Sequence, residues 1–497
     1  MRVDTVETPP AGVEADAIGV GFVEGGDVPA AARALGDRIA GELARLVEER
    51  EIRGRSGEVT ILRGEDDVAA GRVVVAGLGT EADLDADSFR TAAAAVARRT
   101  GGVGERTLAW VLEPGLLESS AQARAIVDGA ALGPYDHGRW RSEREEDRTV
   151  ERLVLCGEGA ADAAEEARIA GVVAQWTNRC RELVDAPPNE LTPARLAEVA
   201  EEVAAGSPNL TFEALAGDEI EQAGMRLLAA VARGSRVPPR LIVMHYEPAE
   251  ADAELVLGLV GKALTFDSGG LSLKPPAGME DMKSDMAGGG AVIAAMGAIA
   301  ELELPVRAIA VVASCENMPG GDAVRPGDVV TSLGGKTVEI TNTDAEGRLA
   351  LADALVHVRN LGATHLVDLA TLTGGMVIAM GDVYAGVFGN DDAWRERIRA
   401  AGESSGDRLW PWPLHRSYKR YTDSPFADLK NSSLVRQGTP VYAAQFLAEF
   451  AGDGPWAHVD MAGTGYLERG RDDYYSTLGA TGFGVRLLAE LARGLAE

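Results

Sequence analysis

The chain alternates short apolar runs, each the length of a strand, with longer segments whose apolar residues recur every three or four positions. In the first third, this pattern predicts strands at 17–22, 59–62, 72–78 and 107–112. Helical spacing separates them at about 29–49, 84–99 and 119–132. Alternation of this kind predicts a sheet with helices packed on it.

A long helix is predicted at about 160–185, where Val172, Trp176, Cys180 and Leu183 fall on one face. The prolines at 187 and 188 cannot continue it. A new helix is predicted after Thr192, whose side chain suits an N-cap. We therefore predict an N-terminal domain at 1–160, a connecting helix and linker at 161–189, and a larger C-terminal domain at 190–497.

The second half contains more continuous apolar runs, which are typical of strands covered on both faces of a sheet. Strands are predicted at 241–246, 255–260, 307–313, 365–370 and 456–461, with helices between them and a last helix at about 476–495. The predicted fold class is α/β, with a mainly parallel central sheet covered by helices in the larger C-terminal domain.

Length and composition narrow the class of protein. A chain of 497 residues exceeds what one core usually supports, so two domains are expected. The net charge of −29, without a continuous basic run, disfavours nucleic-acid binding. Three scattered cysteines predict neither a disulfide framework nor a zinc finger and suit a reducing cytosol. The acidic N-terminus is not a signal peptide and no apolar run is long enough for a membrane span, so a cytoplasmic protein is expected.

Two stretches hold most of the residues that could do chemistry. The first is GKALTFDSGGLSLK at 261–274, continued by MKSD at 282–285, and the second is NTDAEGR at 342–348. They bring together, in apolar and glycine-rich surroundings, four carboxylates, two lysines and one arginine: Asp267, Asp285, Asp344, Glu346, Lys262, Lys274 and Arg348.

Four carboxylates in one dry pocket need nearby positive charge to stay ionised, because burial and mutual repulsion raise their pKa values. Two divalent cations that share carboxylates are a recurring solution in hydrolytic enzymes, for which aminopeptidases are a standard example. A set rich in oxygen favours manganese or magnesium, and zinc or cobalt is also compatible. Taken singly, the residues have ordinary explanations: Asp285 as a helix cap, and each lysine as a surface residue.

Spacing predicts where these groups lie. Lys262 follows the strand predicted at 255–260, and ligands bind beyond the carboxyl ends of such strands. Asp285 stands just before an apolar helix, where the helix dipole favours a carboxylate. Asp344 and Glu346 are two apart, which in an extended segment points both side chains to one side. A helix is then predicted to begin near Arg348.

The octapeptide NTDAEGRL at 342–349 resembles the signature of the leucyl aminopeptidase family, the cytosolic two-metal aminopeptidases. The stretches at 261–274 and 282–286 match the other active-site segment of that family. The resemblance covers about 180–490, with further matches at 189–193, 316–318, 368–374, 428–431 and 460–463. It implies that the N-terminal third is a smaller α/β domain of macrodomain-like topology.

The resemblance also implies a role for each group. Asp267 and Glu346 would bridge two divalent ions, manganese or zinc. Lys262, as a neutral amine, and Asp285 would complete the shell of one ion, and Asp344 would bind the other. Two further residues would be catalytic: Lys274 would steady the developing oxyanion, and Arg348 would hold a bicarbonate ion.

Substrate-binding positions follow from the same resemblance. The implied pocket for the first side chain is formed by Met282, Asn342, Thr371, Gly374 and Ala462, and a main-chain donor near Leu372 would assist Lys274. The expected activity is release of leucine-like N-terminal residues from peptides by a homohexamer. Departures at 288–290, 375–376 and 438–440 leave the shape of the pocket open. A two-metal phosphoesterase and a DNA-binding regulator stay open as alternatives.

Overall fold

The computed structural model describes residues 1–64, 68–102, 104, 106–143, 149–252, 254–433 and 435–496. Their contacts divide the chain into two compact units. One comprises Met1–Asn178 with Arg469–Leu478, and the other Arg179–Glu468 with Gly479–Glu497. The helix predicted as a connector is present as α5 (Ala164–Asp185), and the change from the first unit to the second falls within it.

The first unit is built on a six-stranded sheet in the order β1-β6-β5-β2-β4-β3. All neighbours are parallel except β3, which runs antiparallel to β4 at one edge. The strands are β1 (Arg2–Thr5), β2 (Ala17–Val23), β3 (Val59–Arg63), β4 (Arg72–Gly79), β5 (Thr107–Val111) and β6 (Arg152–Cys156). The helices are α1 (Ala30–Arg33), α2 (Asp37–Glu48), α3 (Ala86–Gly101) and α4 (Ser119–Leu132).

The single helix predicted at 29–49 is wrong, because two helices occupy that stretch. Gly36, with φ of 117°, lies between α1 and α2 in a conformation that a helix does not contain. The helix predicted at 119–132 is confirmed in full as α4. Strands β1 and β6 were not predicted; β1 is a short edge strand with no fully buried side chain.

The second unit is built on an eight-stranded sheet in the order β15-β14-β17-β13-β9-β10-β8-β7. Its centre, β17-β13-β9-β10, is parallel, as predicted, and antiparallel strands complete it on both sides. The strands of this sheet are β7 (Leu210–Ala216), β8 (Arg240–Tyr246), β9 (Val256–Asp267), β10 (Arg307–Asn317), β13 (His365–Ala370), β14 (Ala385–Gly389), β15 (Leu409–Pro411) and β17 (Trp456–Asp460).

Two small sheets and nine further helices complete the described part of this unit. The small sheets are formed by β11 (Val329–Thr331), β12 (Thr337–Glu339) and β16 (Leu429–Lys430), and by β18 (Tyr466–Leu467) and β19 (Gly479–Ala480). The helices are α6 (Pro193–Ala204), α7 (Asp218–Gln222), α8 (Arg226–Ala232), α9 (Ala287–Glu301), α10 (Gly347–Asn360), α11 (Gly374–Met380), α12 (Asp392–Ser405), α13 (Thr439–Ala448) and α14 (Val485–Ala496). None of the helices in the described ranges is long and apolar enough to cross a membrane.

The boundaries of β9, β10 and the last helix differ from the prediction by several residues. Strand β9 continues to Asp267 and β10 to Asn317, because the two remain paired in parallel beyond their apolar cores. Lys262 therefore lies within β9 and does not follow it. The last helix begins at Val485 and not near 476, because β19 at Gly479–Ala480 pairs with β18 instead. The predicted N-cap of α6 is confirmed, since the Thr192 hydroxyl accepts from the backbone N–H of Arg195.

Candidate active site

The parallel strands β9 and β10 place Asp267 at the carboxyl edge of the sheet. Asp267 is the last residue of β9 and lies opposite Asn317, the last residue of β10. Its Oδ1 accepts from Asn317 Nδ2 and from the backbone N–H of Gly269, both at 2.8 Å. The carboxylate is buried, and these two donors fix the direction in which its other oxygen points.

Asp285 reaches the same place from the start of α9. Its Oδ1 accepts from Thr371 Oγ1 at 2.8 Å, and its backbone carbonyl accepts from Leu264 of β9 at 3.2 Å. The first turn of α9 lies directly on the strands, since a Cβ on Gly288 would come within 2.1 Å of the Leu369 carbonyl oxygen. The glycines at 288–290, a departure noted in the sequence, allow this close contact.

Residues 342–346 form a turn, so the extended conformation predicted for Asp344 and Glu346 is wrong. Asn342 Oδ1 accepts from the Asp344 N–H at 2.9 Å, and such an Asx turn competes with extended backbone. Glu346 then has helical dihedral angles, φ −82° and ψ −35°, as the residue before α10. Both carboxylates still converge, because oxygens of Asp267, Asp344 and Glu346 lie within 4.8 Å of one another.

Two lysines lie between these carboxylates. Lys262 Nζ is 2.8 Å from Asp285 Oδ2 and 2.9 Å from Glu346 Oε1. Lys274 Nζ is 2.8 Å from Asp267 Oδ2 and also pairs with Asp344 Oδ1. The structure therefore brings together all four predicted acids and both lysines in one cluster.

The pKa values in this cluster reflect burial and mutual charge. Burial raises the pKa of Asp285 to about 8 and that of Asp344 to about 6, against the opposing effects of Lys262 and Lys274 respectively. For Glu346 burial also acts upward, but the two lysines outweigh it and lower the pKa. Burial alone would lower the pKa of each lysine, yet the surrounding carboxylates raise both.

Arg348 is 4 % exposed and lies apart from this cluster of ion pairs. Its Nη1 donates to the Asn431 carbonyl oxygen at 2.7 Å, and its Cζ lies 5.5 Å from the centre of the Tyr442 ring. Within the described part of the chain it forms no ion pair, and its buried Nε has no hydrogen-bond partner. A buried guanidinium with a spare donor suits a planar anion.

The predicted substrate-binding residues lie at the edge of the sheet next to the acids. The Thr371 carbonyl accepts from Lys262 Nζ at 3.2 Å, so this residue contacts the cluster directly. Gly374 begins α11, and a Cβ there would meet nothing within 4 Å, which indicates open space. Met282 is partly buried in the turn that ends at Asp285.

Asp460, for which the sequence predicted no role, holds the residues around Leu372 and Ala462 in place through hydrogen bonds. Its Oδ1 accepts from the backbone N–H groups of Leu372 at 3.2 Å and Ala462 at 3.3 Å, and its Oδ2 from Thr373 Oγ1 at 2.6 Å. The main-chain donor predicted near Leu372 is thus engaged by Asp460 in this structure. The position of Asp460, as the last residue of β17, is the signal that could have identified it.

Asn431 was likewise not predicted to belong to the site. Its Nδ2 donates to the carbonyls of Asn342 at 2.7 Å and Ala345 at 3.1 Å, and its Oδ1 accepts from Thr341 N at 2.9 Å. One buried amide therefore holds the turn that carries Asp344 and Glu346. Asn317 shows the same kind of role at Asp267, and in neither case does spacing in the sequence reveal the contact.

Comparisons with known proteins agree with this geometry. The model of the cytosol aminopeptidase family matches over residues 178–489 for the catalytic domain and over 19–144 for the N-terminal domain. A probable cytosol aminopeptidase of Solibacter usitatus is 42 % identical over 98 % of both chains, and one of Geobacter sulfurreducens is 41 % identical over 91 % of both. The solved structure of the bottromycin maturation enzyme BotP in complex with Mn is 36 % identical, with a TM-score of 0.85 over 97 % of this chain and 100 % of that one. The chain belongs to the cytosol aminopeptidase family and is an aminopeptidase of the leucyl aminopeptidase type.

Proposed function

We propose that this aminopeptidase depends on two divalent cations, manganese or zinc, and prefers leucine-like N-terminal residues. The observation that carries the proposal is the convergence of Asp267, Asp344 and Glu346, whose oxygens lie within 4.8 Å of one another. Glu346 Oε2 is buried without a hydrogen-bond partner, which is costly unless a cation completes its surroundings. The donor set therefore fits hard divalent ions.

Five residues would hold the ions. Asp267 and Glu346 would bridge them, Lys262 and Asp285 would complete one shell, and Asp344 would bind the second ion. BotP, a structural relative, is described in complex with Mn, which supports the same metal here. When bound, two such ions polarise the scissile carbonyl and lower the pKa of water at the site.

The side chains around the acids supply the remaining chemistry. The ammonium of Lys274 is 2.8 Å from Asp267 and less buried than Lys262, so it can reach a substrate carbonyl and stabilise the developing negative charge. The N–H of Leu372 would assist it after exchanging its contact with Asp460. Arg348 would hold bicarbonate through its free Nε, and this anion could then accept the proton released during attack.

Five residues would form the pocket for the N-terminal side chain: Met282, Asn342, Thr371, Gly374 and Ala462. The flexible thioether of methionine suits leucine-like and methionine-like groups. Family membership does not favour the two alternatives, a phosphoesterase and a DNA-binding regulator. We further propose that the protein assembles as a homohexamer in the cytoplasm and acts on peptides.

Hydrolysis of leucine p-nitroanilide by metal-stripped protein tests this proposal. Activity should be lost on stripping and return with manganese, zinc or cobalt, and acetylating the substrate's amine should abolish it. Metal-stripped protein that keeps full activity would exclude the metal-dependent reaction. Equal hydrolysis of the acetylated substrate would exclude the requirement for a free N-terminus.

A further inference from the structure

Residues 415–438, here called the basic segment, stand out in a strongly acidic chain. The segment contains five lysines and arginines against two aspartates, whereas the whole chain has a net charge of −29. Its five cations are Arg416, Lys419, Arg420, Lys430 and Arg436. Such a local reversal of sign changes which molecules this part of the surface attracts.

Most of these cations lack a carboxylate partner. Lys419 pairs with Glu449 at 2.6 Å, which Lys336 also contacts. Each of the other four cations forms no ion pair with any residue in the described ranges. Three of those four, Arg416, Arg420 and Arg436, are exposed to solvent.

The acids of the segment offset only part of this charge, because two aspartates stand against five cations. Asp428 Oδ2 accepts from Thr337 N and Oγ1, both at 2.8 Å, and Glu339 accepts from Ser424 Oγ at 2.5 Å. Asp423 is exposed and is the remaining acid of the segment. The segment therefore keeps a net positive charge in the structure.

The segment contacts itself at two places. In its middle, the Lys430 N–H donates to the Thr422 carbonyl oxygen at 2.8 Å. Near its ends, a Cβ on Gly438 would lie 3.8 Å from the ring of Tyr418. Apart from Lys419 and Arg420, no two of these cations are adjacent in the sequence, so the segment contains no continuous basic run.

The basic segment also adjoins the active site. Asn431, within the segment, accepts from Arg348 Nη1 through its carbonyl and holds the turn that carries the metal-site acids. A ladder of rings makes a second link: Tyr442 lies 5.9 Å from Tyr421, and Tyr421 lies 6.1 Å from Tyr418. Arg348 Cζ lies 5.5 Å from the centre of the Tyr442 ring. Added to the two distances between ring centres, this places the Tyr418 ring at most about 17.5 Å from Arg348 Cζ.

We infer that the basic segment binds acidic residues of the peptide substrate, about three to five positions beyond the scissile bond. An extended peptide advances about 3.3 Å per residue, so about five residues span the distance from Arg348 to Tyr418, which lies between Arg416 and Arg420 in the sequence. This inference rests on the proposed peptidase activity and adds a substrate class to it. A peptide fits better than a nucleic acid, because a long polyanion would also meet the repulsion of a chain with charge −29.

A peptide series tests the inference directly. Each peptide begins with leucine followed by three glycines and ends in two aspartates, two serines or two lysines. We expect kcat/KM to fall in that order, with about a tenfold difference between aspartate and lysine peptides at low salt, shrinking below about twofold at high salt. Equal values for the three peptides at low salt would overturn the inference.

Variants identify the surface responsible. The triple variant Arg416→Gln, Arg420→Gln and Arg436→Gln should reduce the difference between peptides to below about threefold, because exposed charges act mainly through long-range attraction. The control, Arg236→Gln with Arg397→Gln, removes two exposed arginines elsewhere in the same unit and should keep the preference. A preference that survives the triple variant would exclude the basic segment.

Two further measurements distinguish failure of this inference from failure of the proposed function. Leucine p-nitroanilide has no residues beyond the scissile bond, so the triple variant should hydrolyse it at the wild-type rate. If the wild-type protein does not hydrolyse it with any metal, the proposed function fails, and not merely this inference. If the segment instead binds duplex DNA in a low-salt gel shift and shows no peptide preference, a nucleic-acid partner replaces the peptide.

Discussion

The contact between Gly347 of α10 and Lys262 can be tested by a single substitution. A Cβ at this position would lie 2.5 Å from Lys262 Cε and 2.6 Å from its Nζ. Contacts this short do not occur between real side chains, so Gly347→Ala must displace the lysine. Lys262 is 3 % exposed and is held by Asp285, Glu346 and the Thr371 carbonyl, so it has little room to move.

Two opposing effects determine how much Gly347→Ala changes the free energy of unfolding. Alanine in place of glycine within a helix normally stabilises a protein by about 0.5–1 kcal/mol. Breaking a buried ion pair costs about 3–5 kcal/mol, so Gly347→Ala should destabilise the protein by a net ~2–4 kcal/mol. Displacing a group of the active site by about 1 Å can lower the rate about 100-fold, and we expect at least that loss here.

The assay combines urea unfolding of the metal-free protein, in which Lys262 pairs with Asp285 and Glu346, with hydrolysis of leucine p-nitroanilide at saturating metal. The control is Gly41→Ala in α2, where a Cβ would meet nothing within 4 Å. The control should gain about 0.5–1 kcal/mol and keep its activity. If Gly347→Ala behaves like the control in both measurements, the tight contact between α10 and Lys262 is refuted.

Three further substitutions test other parts of the structure. Glu346→Ala should lose bound metal, measured by metal analysis after dialysis, with unchanged circular dichroism; retained metal would refute its bridging role. Tyr442→Leu removes both the ring beside Arg348 and the hydroxyl that hydrogen-bonds to its side chain, and it should weaken bicarbonate binding, followed by NMR of 13C-labelled bicarbonate. Tyr442→Phe keeps the ring and should weaken binding less; equal weakening in both would show that the ring is not what matters. Asp353 accepts from three backbone N–H groups, among them Leu333 at 2.8 Å, so Asp353→Asn places an amide donor against a donor and should lower the free energy of unfolding by about 1–3 kcal/mol. An unchanged urea midpoint for that variant would contradict these contacts.

The pattern of apolar residues predicted the elements well wherever burial was continuous. The strand at 365–370 and the helix at 119–132 have the predicted bounds, because apolar spacing follows the packing of both. Boundaries failed where pairing between distant segments decided the structure. Strand β9 continues to Asp267 because β10 stays beside it, and Gly479–Ala480 is a strand because of its partner at 466–467.

In the candidate site, too, features set by the local sequence were predicted and features set by distant contacts were not. All four acids and both lysines meet in one cluster as predicted. Asp267 ends β9, and Asp285 and Glu346 stand just before α9 and α10, whereas Lys262 lies inside β9. The local conformation of Asp344 and Glu346 was wrong because a side-chain hydrogen bond from Asn342 decides it. Asn431 and Asp460 brace the site through contacts between residues about 90 positions apart, which no local pattern in the sequence encodes.

The two lysines within the acid cluster have a consequence for how the protein matures. In many small metalloproteins the ligands repel one another, so the chain folds only when the ion arrives. Here Lys262 and Lys274 already pair with all four carboxylates, and the cluster supplies much of its own charge compensation. Folding therefore need not wait for the metal, and an incoming cation has to compete with these internal ammonium groups for the same oxygens. For the metal-dependent reaction proposed above, metal supply would then govern when the enzyme becomes active, independently of how much folded protein the cell holds.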